Sequence, residues 1–296
     1  MNNTLWSVLE TAIGDAEGRP PGIDSRNPVG GGCINQAYRL EGRHNRYFVK
    51  LNRAEALPMF VAEADGLAAL AECRALQIPR PVCRGATDHQ SYLVLEWLDI
   101  SSPGRDGWQA LGSALAKLHR IIGSGFGSMS DNYIGTTPQS NSTDQDWIGF
   151  WREQRLGMQL RLAHHNGYDG ALQHQGERLL ADLSKFFVSY QPKPSLLHGD
   201  LWSGNVAADS QGRPVLFDPA VYYGDRETDL AMTELFGGFD SAFYDAYQAS
   251  WPLDDGYRQR RPLYQLYHVL NHLNLFGGGY LGQAERLIGQ LLGSIG

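Results

Sequence analysis

The chain has 296 residues, 42% hydrophobic and 19% charged, a profile that fits a globular enzyme with one large domain or two lobes sharing a cleft. Its net charge is −7, and without a Lys/Arg stripe to neutralise a phosphate backbone no nucleic-acid partner is expected. No run of about 18 apolar residues occurs, and MNNTLWSVLE lacks a basic and an apolar signal region, so neither membrane insertion nor secretion is expected.

In chain order, residues 37–41 and 47–51 alternate as strands around the polar turn GRHN, which predicts a hairpin. Residues 59–73 carry helical apolar spacing through Phe60, Ala64, Leu67 and Leu70, and SYLVL at 91–95 reads as a buried strand running into a connector at Glu96. A helix is predicted over 108–121. Residues 123–146 are rich in Gly, Ser, Asn and Asp, and so long a loop in a compact enzyme is usually functional or mobile. Helical patterns resume at Trp147 and again over 172–190, until Pro192 and Pro194 break them. Short strands flank HGDLWSGN and PVLFD, and residues 229–292 read as several helices. This order predicts an α+β, two-lobed, protein-kinase-like fold: a small β-rich N-terminal lobe over 1–96 and a larger, mainly helical C-terminal lobe over 97–296. Cys33, Cys73 and Cys83 match neither a zinc site nor a CxxC pair and read as reduced thiols of a cytoplasmic protein.

The segment SLLHGDLWSGNVAADSQGRPVLFD, residues 195–218, carries the chemistry. An apolar strand delivers His198-Gly199-Asp200, Asn205 follows five residues after Asp200, and a second strand ends at Asp218. Phosphoryl transfer needs a carboxylate to orient the attacking hydroxyl and accept its proton, and oxygen ligands for the magnesium that bridges the phosphates. HGDxxxxN matches the catalytic loop of kinases with Gly in place of Arg. Asp200 is then the base, and Asn205 and Asp218 the Mg2+ ligands. Three polar residues at kinase spacing, each at a strand end, are hard to attribute to surface turns.

Lys50 in RYFVKLN resembles the strand lysine of VAIK that contacts ATP phosphates. Glu63 on the following helix is its expected carboxylate partner, because Glu55 precedes Pro58 outside the helix. Gly30, Gly31 and Gly32 let backbone N–H groups approach phosphate oxygens, although GGG is also a common flexible turn; the segment is not a Walker A motif. Glu96-Trp97-Leu98 reads either as a connector whose backbone meets adenine or as a plain strand end. Asp229 is an N-cap or a carboxylate that braces the catalytic-loop backbone. His268 and His272 do not form HExxH, which excludes the zinc-protease reading. With Asn271 they either line a polar substrate pocket or are hydrogen-bonded core side chains.

With these residues in view, the sequence resembles the fructosamine kinase family, relatives of aminoglycoside and choline kinases. The resemblance rests on GGGCINQAYRL, YFVKLN, FVAEADGLAAL, LVLEWL, DNYIGTTPQ, LLHGDLWSGN, FDPAVYYGDRETDLAMTELFGGF and LYHVLNHLNLFGGGYL. It implies phosphorylation of ketosamines, sugars joined to an amine or a protein lysine, at the third-carbon hydroxyl with ATP and Mg2+. The product is unstable and releases the amine, so a role in deglycation is expected. The resemblance also suggests that the Trp202 indole packs on a sugar face, and that Cys33 supports either a plain monomer or a redox-linked dimer. Two other classes compete. An aminoglycoside or other small-alcohol kinase would need acidic side chains around residues 268–280, where this chain is neutral and Gly-rich; a pseudokinase would lack one of Lys50, Asp200, Asn205 and Asp218.

Overall fold

A computed structural model describes residues 2–30 and 34–296; Gly31, Gly32 and Cys33 therefore lie outside the described residues. The chain opens with helix α1 (Asn2–Glu17), followed by strands β1 (Ile23–Val29), β2 (Gln36–Gly42) and β3 (Arg46–Arg53). Helix α2 (Leu57–Leu70) leads into β4 (Pro81–Ala86) and β5 (Gln90–Glu96). The five strands form an antiparallel sheet in the order β1-β2-β3-β5-β4.

Both faces of this sheet are covered, and strand parity decides what each face does. Leu5, Leu9 and Ile13 make one stripe on α1 and bury it against Leu40, Tyr47, Val49, Leu51, Tyr92 and Val94. Leu93 and Leu95 pack with Phe60, Ala64, Leu67 and Leu70 of α2. Because Val49 and Leu51 face α1, Lys50 between them faces the α2 side. The 37–51 hairpin has the predicted form, and α2 starts two residues before the predicted point with Pro58 in its first turn. Helix α1 was not predicted.

The rest of the chain contains β6 (Ile100–Ser101), α3 (Arg105–Leu118), the hairpin β7 (Asn132–Ile134) and β8 (Thr137–Gln139), and α4 (Trp147–Trp151). A π-helical turn at Arg152–Leu156 joins α4 to α5 (Gly157–His165), and α6 (Ala171–Ala181) follows. Then come β9 (Ser195–Leu197), β10 (Val206–Asp209), β11 (Pro214–Leu216) and β12 (Tyr222–Gly224). Helices α7 (Glu227–Thr233), α8 (Ser241–Ser250), α9 (Tyr257–Phe276) and α10 (Leu281–Ile295) complete the chain. β10 pairs with β11 and β6, and β12 with β9, so the segments flanking HGDLWSGN are held in short antiparallel pairs. The main helical core gathers Trp147, Phe150, Trp151, Tyr264, Tyr267 and Leu270.

Two expectations need correction. Residues 172–190 are not one helix: α6 ends at Ala181, and a 3-10 turn at Leu183–Phe187 follows. Residues 123–146 are not an open loop, because they contain the β7–β8 hairpin and are bonded at Phe126 to Asp144 and at Gly127 to Tyr223. No helix among the described residues is long and apolar enough to cross a membrane.

The dependence of the small sheet on α1 can be measured. Leu9 is fully buried, so Leu9→Ala should lower unfolding free energy by about 3 kcal/mol, read from urea denaturation midpoints.

Candidate active site

The cleft between the five-stranded sheet and the helical part has a volume of about 950 Å³. Gly30, Lys50, Glu63, Glu96, Leu98, Asp200, Trp202, Asn205, Asp218, Asn271 and His272 all line it.

The charged end is built from three directions. Lys50 projects from β3 and donates to Glu63 Oε1 of α2 at 2.6 Å and to Asp218 Oδ1 beyond β11 at 2.5 Å. Burial works against the ammonium, but Asp218 and then Glu63 outweigh it and hold its pKa above the ordinary lysine value. Glu63, and not Glu55, is thus the partner of Lys50. Asn205 Nδ2 donates to Asp200 O at 2.8 Å and lies 3.4 Å from both Asp200 Oδ2 and Asp218 O. One amide therefore brings the two carboxylate-bearing segments to a single point. Burial, and then the charge of Asp218, push the Asp200 carboxyl up to about 7.

The catalytic loop itself is braced by Asp229. Its Oδ2 accepts from His198 N at 2.8 Å and its Oδ1 from Gly199 N at 2.9 Å. His119 lies 3.2 Å from the same carboxylate and 2.8 Å from the Tyr247 hydroxyl. Burial disfavours the Asp229 anion, yet its pKa stays below the ordinary range because these donors hold the charge. Asp229 sits inside α7 and is not its N-cap. Gly199 is required here: its φ is +83°, and a Cβ would fall 2.0 Å from Ala220 O. Asp218 has φ of 55°, the left-handed region that a non-glycine residue enters at a cost.

Another part of the cleft lining is aromatic and neutral. Trp202 is 38% exposed and meets the Phe236 ring edge-on at 6.4 Å between centroids. Phe236 packs on His272 at 4.9 Å, and His272 on Phe276 and Tyr280 at 5.4 and 5.3 Å. The sequence reading missed Phe236, Phe276 and Tyr280, although GGF and FGGGY mark the turns that present them. His268 is a correction. It is 3% exposed, packs edge-on against Tyr267 and is not part of the cleft wall, so it belongs to the core. Asn271 reaches the cleft while accepting from Gln159 Nε2 at 3.2 Å. Glu96 lines the other side, but its carboxylate accepts from Arg80 N at 3.0 Å and Trp97 N donates to Arg46 O at 3.0 Å. Leu98 N–H makes no hydrogen bond among the described residues.

The donor set was tested for Mg2+. Among the described residues no cluster of three His, Cys, Asp or Glu side chains could hold a metal unaided. Asn205 uses its NH2 on Asp200 and keeps its amide oxygen free, and Asp218 commits Oδ1 to Lys50 and keeps Oδ2. Two hard oxygens facing the cleft fit Mg2+, which takes few protein ligands and completes its shell with phosphate and water oxygens.

A two-lobed kinase-like fold with a lysine, a catalytic-loop carboxylate and an Asn/Asp pair around one cleft defines the class. The fructosamine kinase family model matches residues 5–294. A probable ketoamine kinase of Synechocystis sp. is 48% identical over 97% of each chain, and a chloroplastic protein-ribulosamine 3-kinase of Arabidopsis thaliana is 43% identical over 93% of this chain and 85% of its own. Among solved structures, a candidate fructosamine-3-kinase from Haemophilus somnus 129PT superposes with a TM-score of 0.89 at 30% identity, covering 97% of each chain. The aminoglycoside phosphotransferase APH(4)-Ia shares the fold with a TM-score of 0.62 at 16% identity, covering 96% of this chain and 98% of its own. The chain belongs to the fructosamine kinase family.

The raised Asp200 pKa predicts a pH-dependent stability. The unfolded chain releases this proton near pH 4 and the folded, metal-free protein near 7, so stability falls as pH rises through that window. Asp200→Asn should therefore raise Tm in EDTA at pH 8, by up to about 4 kcal/mol of unfolding free energy, and change it little at pH 4.

Proposed function

We propose that the protein is an ATP-dependent kinase that phosphorylates the third-carbon hydroxyl of ketosamines of the ribulosamine and fructosamine type, free or on protein lysine. The names of its family and relatives support the substrate class. One observation carries the chemistry: the Asn205 amide joins the Asp200 and Asp218 segments while Lys50 holds Asp218.

In this reading Asp200 orients the acceptor hydroxyl and takes its proton as the oxygen attacks the γ-phosphorus of ATP; ADP leaves. A base with a pKa near the working pH suits that task. Lys50, kept in place by Glu63, supplies a fixed positive charge toward the phosphates, and Gly30 lines the same cleft. The free Leu98 N–H, beside Glu96 and Trp97, is the candidate contact for adenine. Asn205 and Asp218 would hold Mg2+, which would neutralise charge on the phosphates. Trp202, with His272 and Asn271, receives the sugar: its indole face shields apolar C–H groups, and the polar pair offers hydrogen bonds.

The product carries a phosphate on the third carbon. Loss of a proton from the amine-bearing first carbon shifts the ketone to an enaminol, in which that phosphate lies β to the nitrogen-bearing carbon; inorganic phosphate is eliminated, and water then hydrolyses the resulting imine and releases the amine, so the reaction removes glycation. We place the reaction in the cytoplasm, where the three cysteines would stay reduced. A polycationic aminoglycoside is a poorer fit, because the carboxylates lining the cleft among the described residues are Glu63, Glu96, Asp200 and Asp218, none of them on the aromatic wall.

Coupled ADP-release assays on ribuloselysine, fructoselysine and kanamycin, side by side, test the substrate class. Turnover is expected with one or both ketosamines, and preferential turnover of kanamycin would overturn it. Asp200→Ala should lower kcat at least about a thousandfold while ATP still binds by calorimetry; near-normal turnover would remove Asp200 as the base.

A further inference from the structure

We propose that Asn132, Gln139 and Tyr267 form a buried polar strut whose task is to position Asp218 for metal-bound nucleotide. Asn132 and Gln139 sit opposite each other in the β7–β8 hairpin. Asn132 Nδ2 donates to Val221 O at 2.7 Å, and Gln139 Nε2 donates to Asn132 Oδ1 at 2.8 Å and lies 3.4 Å from Ala220 O. The Tyr267 hydroxyl of α9 donates to Gln139 Oε1. Behind them, Asn141 Nδ2 donates to Asn132 Oδ1 at 3.0 Å, and Arg155 Nη2 donates to Asn141 Oδ1 at 2.7 Å. Arg155 is fully buried and stacks its guanidinium 4.0 Å from the Tyr222 ring centroid.

Each of these groups is costly to bury and useful only through its bonds. Their common target is the backbone two and three residues past Asp218. Asp218 needs outside support, because it occupies the left-handed region. From the other side Ala220 N donates to His198 O at 2.9 Å, and Ala220 O blocks any side chain at Gly199. Ala220 and Val221 are thus clamped between the catalytic loop and the hairpin. Loosening the hairpin side releases the Asp218 end of the Asn205–Asp218 pair, while Trp202 and His272 contact none of the strut residues through hydrogen bonds. Asn132 and Gln139 therefore act on nucleotide with metal and make no hydrogen bond to the sugar wall, whereas Tyr267 also meets Gln159, which holds Asn271.

The inference rests on Asp218 as a metal ligand, and one calorimetric experiment separates the two. ATP is titrated with Mg2+ and, separately, in EDTA, into wild type, Gln139→Met and Tyr267→Phe. Wild type is expected to bind ATP more tightly with Mg2+; no such difference would sink the Asp218 reading itself. If wild type shows it, Gln139→Met should weaken binding with Mg2+ about five- to tenfold and binding in EDTA less than twofold, as expected for the loss of one or two buried hydrogen bonds. Tyr267→Phe removes one hydroxyl without opening a cavity and should give about a threefold loss of the same kind, which keeps the test available if Gln139→Met does not fold. In steady state, excess Mg2+ should restore kcat of Gln139→Met at an unchanged ketosamine KM. Equal weakening with and without Mg2+, unchanged binding, or a change confined to the ketosamine KM would each overturn the proposal.

Discussion

The arrangement depends on a single ammonium buried between two carboxylates. Lys50 comes from the central strand of the small sheet, Glu63 from the helix packed on that sheet, and Asp218 from the end of β11 in the other half of the molecule. The side chains of Lys50 and Glu63 are 7% and 14% exposed, so salt screens their interaction weakly and an unpaired charge at either position is expensive. The interaction therefore joins the two halves of the chain across the cleft and sets where the ammonium points. Asp218 is the most exposed member, at 48%, and keeps one carboxylate oxygen out of the pair.

Asp229 does for the catalytic loop what Glu63 does for Lys50. Its two oxygens fix two successive backbone N–H groups, and the positive φ of Gly199 follows from that pinning. Asp200 is then left without a compensating cation of its own, and burial beside Asp218 makes its ionisation unfavourable. The same geometry that costs stability leaves a carboxylate ready to accept a proton near neutral pH.

The charged end was readable in the sequence because each of its residues obeys a local rule. Strand parity puts Lys50 on the face opposite Val49 and Leu51, helix position separates Glu63 from Glu55, and strand ends present Asp200 and Asp218. For Asp229 the local rule offered an N-cap, which it is not, and the brace was the alternative that the kinase-like fold suggested. The remainder was set by tertiary contacts. Residues 123–146 lack hydrophobic periodicity, since the hairpin inside them buries one apolar residue, Ile134, and is otherwise tied down by the side-chain amides of Asn132 and Gln139. His268 and His272 share a helical face by spacing, yet α9 runs out of the core at its end, so His268 is buried and His272 meets the cleft. Phe236, Phe276 and Tyr280 stand next to glycines in turns, where no period announces which way an aromatic ring will point.

Specificity on this fold follows from how charge is divided along the cleft. The lining holds one charged and polar group, Lys50, Glu63, Asp200, Asn205 and Asp218, and one aromatic group, Trp202, Phe236, His272, Phe276 and Tyr280. Rings of this kind hold a sugar by its apolar face and tolerate one amine, through the attraction of a cation to an aromatic face. They cannot neutralise several ammonium groups, for which desolvation would go uncompensated. Under the proposed function, a substrate with a single sugar and a single amine would direct its hydroxyl to Asp200 and rest its sugar on the neutral rings, and the absence of carboxylates among those rings would set this acceptor apart from a polycation.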